Sequence, residues 1–108
     1  MIDIVLNKYP MRLKCTGHAT GAGDPGENLV CCAVSTLVYT LDEALAAAGI
    51  PVSDSIDEGY ADITLSPRPA KMYEADIIFQ TIITGLSCLA EQYPEYITLR
   101  KEYDDANV

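Results

Sequence analysis

The chain has 108 residues, a formal net charge of −9 and four cysteines. This length, with 49% hydrophobic residues, is typical of one compact domain that buries a core without disulfides or metal. The negative charge argues against direct binding to nucleic-acid phosphates and favours a basic partner. We therefore expect a single domain over residues 1–108 that does not bind nucleic acid directly.

The apolar residues and the cysteines favour a cytoplasmic location. No unbroken apolar run approaches the roughly 18 residues that cross a bilayer, and the N-terminus lacks a basic region followed by a long hydrophobic segment. Cys31 and Cys32 are adjacent, and the cysteines do not have the spacing of a small secreted scaffold. We predict reduced thiols, a cytoplasmic protein and no membrane partner.

Two strands are predicted near the N-terminus. Apolar and polar residues alternate over Met1–Asn7 and again over Met11–Thr16, which is the period of a half-buried β-strand. A short Lys-Tyr-Pro segment separates them, so a β-hairpin is the expected connection. Gly17 and His18 then follow the end of the second strand.

A helix is predicted from Leu29, with Asn28 as its N-cap and Gly49 at its end. Its apolar stripe consists of Val30, Val34, Leu37, Leu41 and Leu45. Cys31 then falls in the first turn, whose N–H groups lack partners within the helix; such a turn favours a thiolate and could stabilise an oxyanion. Cys32 is rotated by about 100° from Cys31, so the two thiols cannot face one reaction centre.

The second half of the chain predicts another helix, over Lys71–Tyr93, which Pro94 ends. The apolar stripe of this helix consists of Ala75, Ile78, Ile82, Leu86, Leu89 and Tyr93. Residues Tyr60–Leu65 and Tyr96–Arg100 alternate as strands. The order β-β-α-β-α-β predicts an α/β (α+β) two-layer sandwich, with two main helices on one face of a four-stranded antiparallel or mixed sheet.

The residues around the histidine and the adjacent cysteines match a known family. Gly17-His18-Ala19 is followed by a glycine-rich interval and by Gly-Glu-Asn-Leu-Val-Cys-Cys-Ala-Val-Ser at positions 26–35. This resembles the patterns Gly-His-Ala and Gly-x-Asp-Ile-Val-Cys-Ala-Ala-Val-Ser of the ribosomal-processing cysteine proteases, the Prp family of bacterial cytosolic enzymes. Residues 85–97 also look like that family's C-terminal part, so the resemblance extends over nearly the whole chain.

The resemblance implies a Cys-His peptidase that removes a short N-terminal extension from a large-subunit ribosomal protein. Carried over by position, it makes Cys31 the nucleophile and His18 the general base and acid, with Gly17, Asn28 and Ser35 as accessory residues. We identify no third acid, so a dyad without metal or cofactor is expected. The family also implies a small α/β fold that is usually a homodimer.

Several positions depart from the family pattern. Asn28 stands where the family usually has aspartate, and Cys32 stands where it usually has alanine, so the Cys32 thiol is not implied to act and Cys32 is expected to be a packing residue. Asp24-Pro25 makes the loop between the histidine and the cysteine distinctive. The expected substrate is a basic ribosomal precursor or its N-terminal peptide; a divergent member could instead process another protein, including a viral structural one.

Two non-enzymatic interpretations stay open from the sequence. Cys15-x-x-His18 has the spacing of zinc ligands, to which Cys31 or Cys32 could add a thiolate, and this would make a zinc-stabilised binding module. A non-catalytic interaction module with the same fold is the other interpretation. In every case Cys15 and Cys88 lie on apolar faces and are expected to be small core residues.

Small residues in the second predicted helix bear on oligomeric state. Gly85, Ser87 and Cys88 lie among apolar residues there. Together with the resemblance, they predict a homodimer formed partly through this helix.

Overall fold

The computed structural model describes residues 1–17 and 25–103, and residues 18–24 and 104–108 lie outside that description. Its elements are β1 (Ile2–Lys8), β2 (Met11–Thr16), α1 (Pro25–Ala47), β3 (Val52–Asp57), β4 (Tyr60–Leu65), a short 3-10 turn (Pro69–Lys71), α2 (Met72–Gln92) and β5 (Ile97–Lys101). The two long helices pack on one face of the sheet, which confirms the predicted α+β two-layer architecture.

The sheet has five strands in the order β3-β4-β2-β1-β5. The pairs β1–β2, β2–β4 and β3–β4 are antiparallel, whereas β5 runs parallel to β1. The prediction of four strands is therefore wrong by one, because it omits β3. This strand reads Val-Ser-Asp-Ser-Ile-Asp and lies at the sheet edge, where most of its side chains are exposed and the apolar alternation is weak.

β1 and β2 form the predicted hairpin. Lys8 pairs with Met11, so Tyr9 and Pro10 make a two-residue loop that contains a cis peptide bond. The side chains that these strands bury beneath the helices are Ile2, Ile4, Leu6, Met11, Leu13 and Cys15. The hairpin therefore brings the end of β2 beside the start of β1, at the end of the sheet where Gly17 lies.

α1 begins at Pro25, so the prediction that Asn28 caps this helix is wrong. Asn28 is an exposed residue inside the helix. Proline is favoured at the first helical position, and Asp24 followed by Glu27 is the sequence pattern of a capping box; these signals outweigh Asn28. Cys31 is consequently the seventh residue of α1 and lies in its second turn.

The two helices bury matching apolar faces. The buried residues are Val30, Val34, Val38, Leu41 and Leu45 on α1, and Ala75, Phe79, Ile82, Ile83 and Leu86 on α2. Leu37, predicted for the buried stripe, is instead half-buried and contacts α2 at Gly85, where an added Cβ would lie 3.1 Å from Leu37 Cδ1. The small size of Gly85 thus serves close packing of the two helices within one chain.

The cysteines are distributed differently from the prediction. Cys15 is buried, at 8% exposure, as expected. Cys88 is exposed, so its assignment to the core is wrong. It lies on the outer face of α2, next to residues of the apolar stripe in sequence but rotated away from the core.

α1 is long and apolar enough to cross a membrane, judged by length and composition alone, over Gly26–Ala47 with a mean hydropathy of 1.5. Its unbroken apolar runs are short, as expected, because Ser35, Thr36 and Thr40 interrupt them, but these residues do not make the helix polar overall. The helix is also one-sided: one stripe is buried in the core, whereas Thr36, Thr40 and Glu43 are exposed. The buried stripe accounts for part of its apolar content, whereas Leu29 and Tyr39 of the same helix are exposed.

Candidate active site

A cavity of about 310 Å³ opens between α1 and the end of the sheet formed by β2 and the β3–β4 turn. The sheet contributes Cys15, with Gly17 directly after β2, and α1 contributes Cys31, Ser35 and Tyr39. The structure thus brings together the predicted nucleophile and two predicted accessory residues, Gly17 and Ser35. Asn28, the third accessory residue, is not among the residues that line this cavity.

Helical spacing explains the α1 wall of the cavity. Cys31, Ser35 and Tyr39 follow one another at intervals of four residues, so they lie along one face of the helix. Cys31 is half-buried and packs against the hydrophobic core, whereas Ser35 and Tyr39 are exposed. Cys31, the predicted nucleophile, therefore lies deeper in the cavity, with polar side chains on the same wall.

Cys32 diverges from Cys31, as the helical rotation predicts. Its side chain is exposed and does not line the cavity. The expectation that Cys32 is a packing residue is wrong for the same reason. Thr36, one turn further on, donates its hydroxyl hydrogen to the Cys32 carbonyl oxygen at 2.9 Å. The Thr36 hydroxyl group therefore has its hydrogen-bond partner within α1.

The start of α1 at Pro25 corrects the electrostatic argument for Cys31. The free N–H groups of an α-helix belong to its first turn, and the field of the helix dipole falls off over that turn. Cys31, in the second turn, has a helical partner for its N–H group at the carbonyl of Glu27. The helix N-terminus therefore supports a thiolate or an oxyanion at Cys31 less than a first-turn position would.

Gly17 has a steric reason to be glycine. Its φ is +93°, and an added Cβ would lie 2.2 Å from the carbonyl oxygen of Met1. Its N–H group donates to the Gly59 carbonyl oxygen at 2.9 Å. The chain is thus held at the β3–β4 turn immediately before His18, which itself lies outside the described residues, so the pairing of Cys31 with His18 stays a prediction.

Cys15 shares the cavity with Cys31 but differs from it chemically. Burial raises the pKa of the Cys15 thiol to about 11, with smaller electrostatic contributions from Cys31 and Asp3. A thiol with so high a pKa is protonated at neutral pH and is a poor nucleophile. Burial therefore leaves Cys15 a structural thiol beside the reactive position.

The β3–β4 turn is the part of the site that the sequence analysis does not predict. Asp57, Glu58, Gly59 and Tyr60 all line the cavity. Gly59 has a φ of +71°, and Asp57 Oδ1 accepts a hydrogen bond from the Glu58 N–H group at 2.7 Å. The signal that could have revealed this wall is the Glu58-Gly59 pair directly before the alternating segment of β4, since a short loop with glycine is typical of a β-hairpin.

The zinc-binding interpretation requires several ligand side chains to lie close together. Over residues 1–17 and 25–103, no three histidine, cysteine, aspartate or glutamate side chains are grouped in a way that could hold a metal ion. Cys15 and Cys31 line one cavity, whereas Cys32 points away from it. His18, which that alternative also requires, lies outside the part of the chain that is described.

Comparisons with known proteins identify the family of the chain. The family model of the cysteine protease Prp matches residues 1–98. A structure of SMU.848 from Streptococcus mutans is 34% identical, with a TM-score of 0.77 and an alignment covering 93% of this chain and 90% of that one. No curated protein matches the chain.

Two structures of the essential ribosomal processing protease Prp from Staphylococcus aureus are also similar. The complex with a substrate peptide is 25% identical, with a TM-score of 0.77, and covers 94% of this chain and 100% of that one. The complex with a covalently linked product peptide is 23% identical, with a TM-score of 0.79, and covers 94% of this chain and 100% of that one. At this identity the similarity shows the fold alone.

The family match spans both predicted motifs and most of the described structure. It begins before β1 and ends within β5, so it includes Gly17, Cys31 and both walls of the cavity. The resemblance and the fold class inferred from the sequence are thereby confirmed. The chain belongs to the cysteine protease Prp family and is a cysteine protease.

Proposed function

We propose that the protein is an endopeptidase that removes a short N-terminal extension from a large-subunit ribosomal protein, with Cys31 as nucleophile and His18 as general base and acid. The observation that carries the proposal is the position of Cys31 on the α1 wall of the cavity, which the β3–β4 turn also lines. The Staphylococcus aureus relative, a ribosomal processing protease solved with a substrate peptide, supports the substrate class.

The proposed mechanism follows ordinary thiol-protease chemistry. His18 accepts the Cys31 proton, and the thiolate attacks the carbonyl carbon of the scissile bond. The protonated imidazole then donates its proton to the leaving amine, which leaves a thioester on Cys31. Water, deprotonated by His18, hydrolyses that thioester and restores the dyad.

The cavity also suggests how an extended substrate is held. Its apolar lining consists of Ile2, Val34, Val38, Ile56 and Ala61, with the Tyr39 and Tyr60 rings at its sides. Such a surface suits a hydrophobic or aromatic side chain next to the cut, the substrate type that the family resemblance implies. Binding that side chain would place the following peptide bond near Cys31.

Charge and exposed surface support the remaining parts of the proposal. The net charge of −9 would attract a basic ribosomal precursor over long range. We propose a homodimer that acts in the cytoplasm, formed partly through α2, whose exposed side chains include Met72, Tyr73 and Ile77. A monomeric mass by light scattering at micromolar concentration would remove the dimer from the proposal.

The direct test uses the ribosomal precursor from the same cell and intact-mass measurement. The expected result is loss of the N-terminal extension at one position with the wild-type protein and no loss with Cys31→Ala. An uncleaved precursor, with Cys31 still readily alkylated, would point to another substrate, including a viral structural protein. An uncleaved precursor with an unreactive Cys31 would instead favour a non-catalytic module.

A further inference from the structure

The β3–β4 turn supplies the charged side chains of the described cavity lining. Asp57 and Glu58 are the only charged side chains among the described residues that line it. Both are exposed, and neither forms an ion pair with any residue in the described ranges. Among the described residues that line it, the cavity that contains Cys31 therefore presents two negative charges and no positive one.

The backbone that carries these carboxylates is tied to the end of β2. Tyr60 pairs with Asp57 across the turn and with Thr16 at the end of β2. The Gly59 carbonyl oxygen accepts the Gly17 N–H group at 2.9 Å, which ties the turn to the residue before His18. The turn therefore has backbone hydrogen bonds on two sides, and it carries its charges at the end of the sheet where the chemistry is proposed.

The size of the cavity limits which part of a peptide these charges can reach. A volume of about 310 Å³ corresponds to a width on the order of 8 Å, and an extended peptide rises about 3.3 Å per residue. Two or three substrate residues can lie beside the turn while a peptide bond lies at Cys31. The carboxylates can thus contact only side chains close to the scissile bond.

We propose that Asp57 and Glu58 select substrates that carry a lysine or arginine within two or three residues of the scissile bond. This inference rests on the proposed peptidase function and adds a determinant of specificity to it. Carboxylates accept charge-assisted hydrogen bonds from ammonium and guanidinium groups, and they repel an acidic side chain at the same place. Selection therefore comes from both attraction and repulsion.

This short-range selection differs from attraction by the net charge. The charge of −9 draws any basic protein, wherever its lysines and arginines lie. Asp57 and Glu58 instead distinguish peptides of equal net charge by the position of one basic residue. A test must change these two carboxylates and, separately, remove the same amount of charge elsewhere on the protein.

The test compares Asp57→Asn/Glu58→Gln with the control Glu74→Gln/Glu91→Gln. The control removes two exposed carboxylates from α2, outside the cavity. Asparagine at position 57 keeps the side-chain oxygen that accepts the Glu58 N–H group, so the turn retains its hydrogen bond. Both variants therefore change the net charge equally, and only one changes the cavity.

The substrates are peptides from the cleavage region of the ribosomal precursor, with lysine, glutamine or glutamate at each of three positions on either side of the cut. We expect wild-type kcat/KM to favour lysine over glutamate by about tenfold at one position or more. The cavity variant should lower that ratio about threefold to tenfold, with little change for glutamine, and the control should preserve it. An equal ratio in wild type and cavity variant overturns the inference.

A binding measurement separates this inference from failure of the proposed function. If the wild-type protein cleaves none of the peptides, the proposed function fails. Calorimetry then measures peptide binding to the Cys31→Ala protein and tests whether Asp57 and Glu58 recognise a basic side chain. Tighter binding of a lysine peptide than of its glutamate counterpart, lost when the two carboxylates are also replaced, supports them as a cation-binding determinant. Equal binding, or no binding of any peptide, overturns it.

Discussion

Cys15 and Cys31 line the same cavity from the two layers of the fold, Cys15 from the sheet and Cys31 from the covering helix. Burial raises the pKa of Cys15 to about 11, whereas Cys31 is only half-buried. The cavity thus contains one thiol that stays protonated at neutral pH and one that a substrate can reach. This difference can be measured with a thiol reagent.

Iodoacetamide should label Cys31 before the other three cysteines below pH 7. Cys32 and Cys88 are exposed, so accessibility alone would favour them. Faster reaction at Cys31 would therefore report a thiolate stabilised by His18, and replacing His18 should slow it. Cys15 should react only as the pH approaches its raised pKa of about 11.

Peptide mass mapping after short exposure identifies the labelled cysteine. The control is the same experiment in denaturant, where the four thiols should react at similar rates. Preferential labelling of Cys32 in the folded protein would contradict the assignment of the nucleophile.

Replacing the adjacent cysteines one at a time should give opposite results. Cys31→Ala should abolish peptide cleavage, because it removes the nucleophile while keeping a good helix former in α1. Cys32→Ala should retain kcat/KM within about twofold, because the Cys32 side chain is exposed and outside the cavity. An active Cys31→Ala protein would disprove the mechanism, provided circular dichroism shows both variants folded.

Gly17→Ala should lower both stability and activity. Its φ of +93° and an added Cβ 2.2 Å from the Met1 carbonyl oxygen would force the backbone to move. We expect a loss of about 2 kcal/mol or more in the free energy of unfolding. Because Gly17 precedes His18, the same movement should reduce kcat/KM at temperatures where the protein is still folded.

Gly49→Ala is the matched control for that change. Gly49 also has a positive φ, +72°, but an added Cβ there would have no atom within 4 Å. It follows the end of α1, away from the cavity, so the expected cost is about 1 kcal/mol with no change in kcat/KM. Urea unfolding and steady-state kinetics on both variants test the pair; equal effects would show that the contact with Met1 is unimportant.

The fold was predictable where burial on one face leaves a clear period. Ile2, Ile4 and Leu6 alternate because β1 is covered by helices on one side only, and this alternation identifies the strand. β3 has exposed Ser53 and Ser55 at the sheet edge, where no covering layer imposes a pattern. The helix start was misplaced because Asn28 and the Asp24-Pro25 pair are both good start signals, and local propensity does not rank them.

The site was predictable only in part. The motifs predict the cysteine and the histidine; the structure places Cys31 in the cavity, and helical geometry separates it from Cys32. Asp57 and Glu58 could not be placed beside Cys31 from the sequence, because their position depends on the pairing of β4 with β2 and on the hydrogen bond from Gly17 to Gly59. Such long-range contacts leave no periodic signal in the chain.

A carboxyl pair between α1 and β3 predicts a specific pH dependence of stability. The pKa of Asp42 is raised to about 6, chiefly by its hydrogen bond with the Asp54 carboxyl group, then by burial and by the negative charges of Asp54 and Glu43. The folded state therefore binds this proton more tightly than the unfolded chain does. Protonation stabilises the fold as the pH falls through about 6, and the charged pair destabilises it above that pH.

Asp42→Asn should consequently stabilise the protein at pH 7.5 and have little effect near pH 4. Asparagine keeps the shape and a hydrogen-bond donor but cannot carry the charge that Asp54 opposes. Because Asp42 is partly exposed, solvent screening reduces the expected gain to about 1 kcal/mol in the free energy of unfolding. Urea unfolding at both pH values measures the gain, with Glu91→Gln as control, because Glu91 is exposed on α2 and does not contribute to the raised pKa of Asp42. A gain of equal size at both pH values would show that the carboxyl pair is not its source.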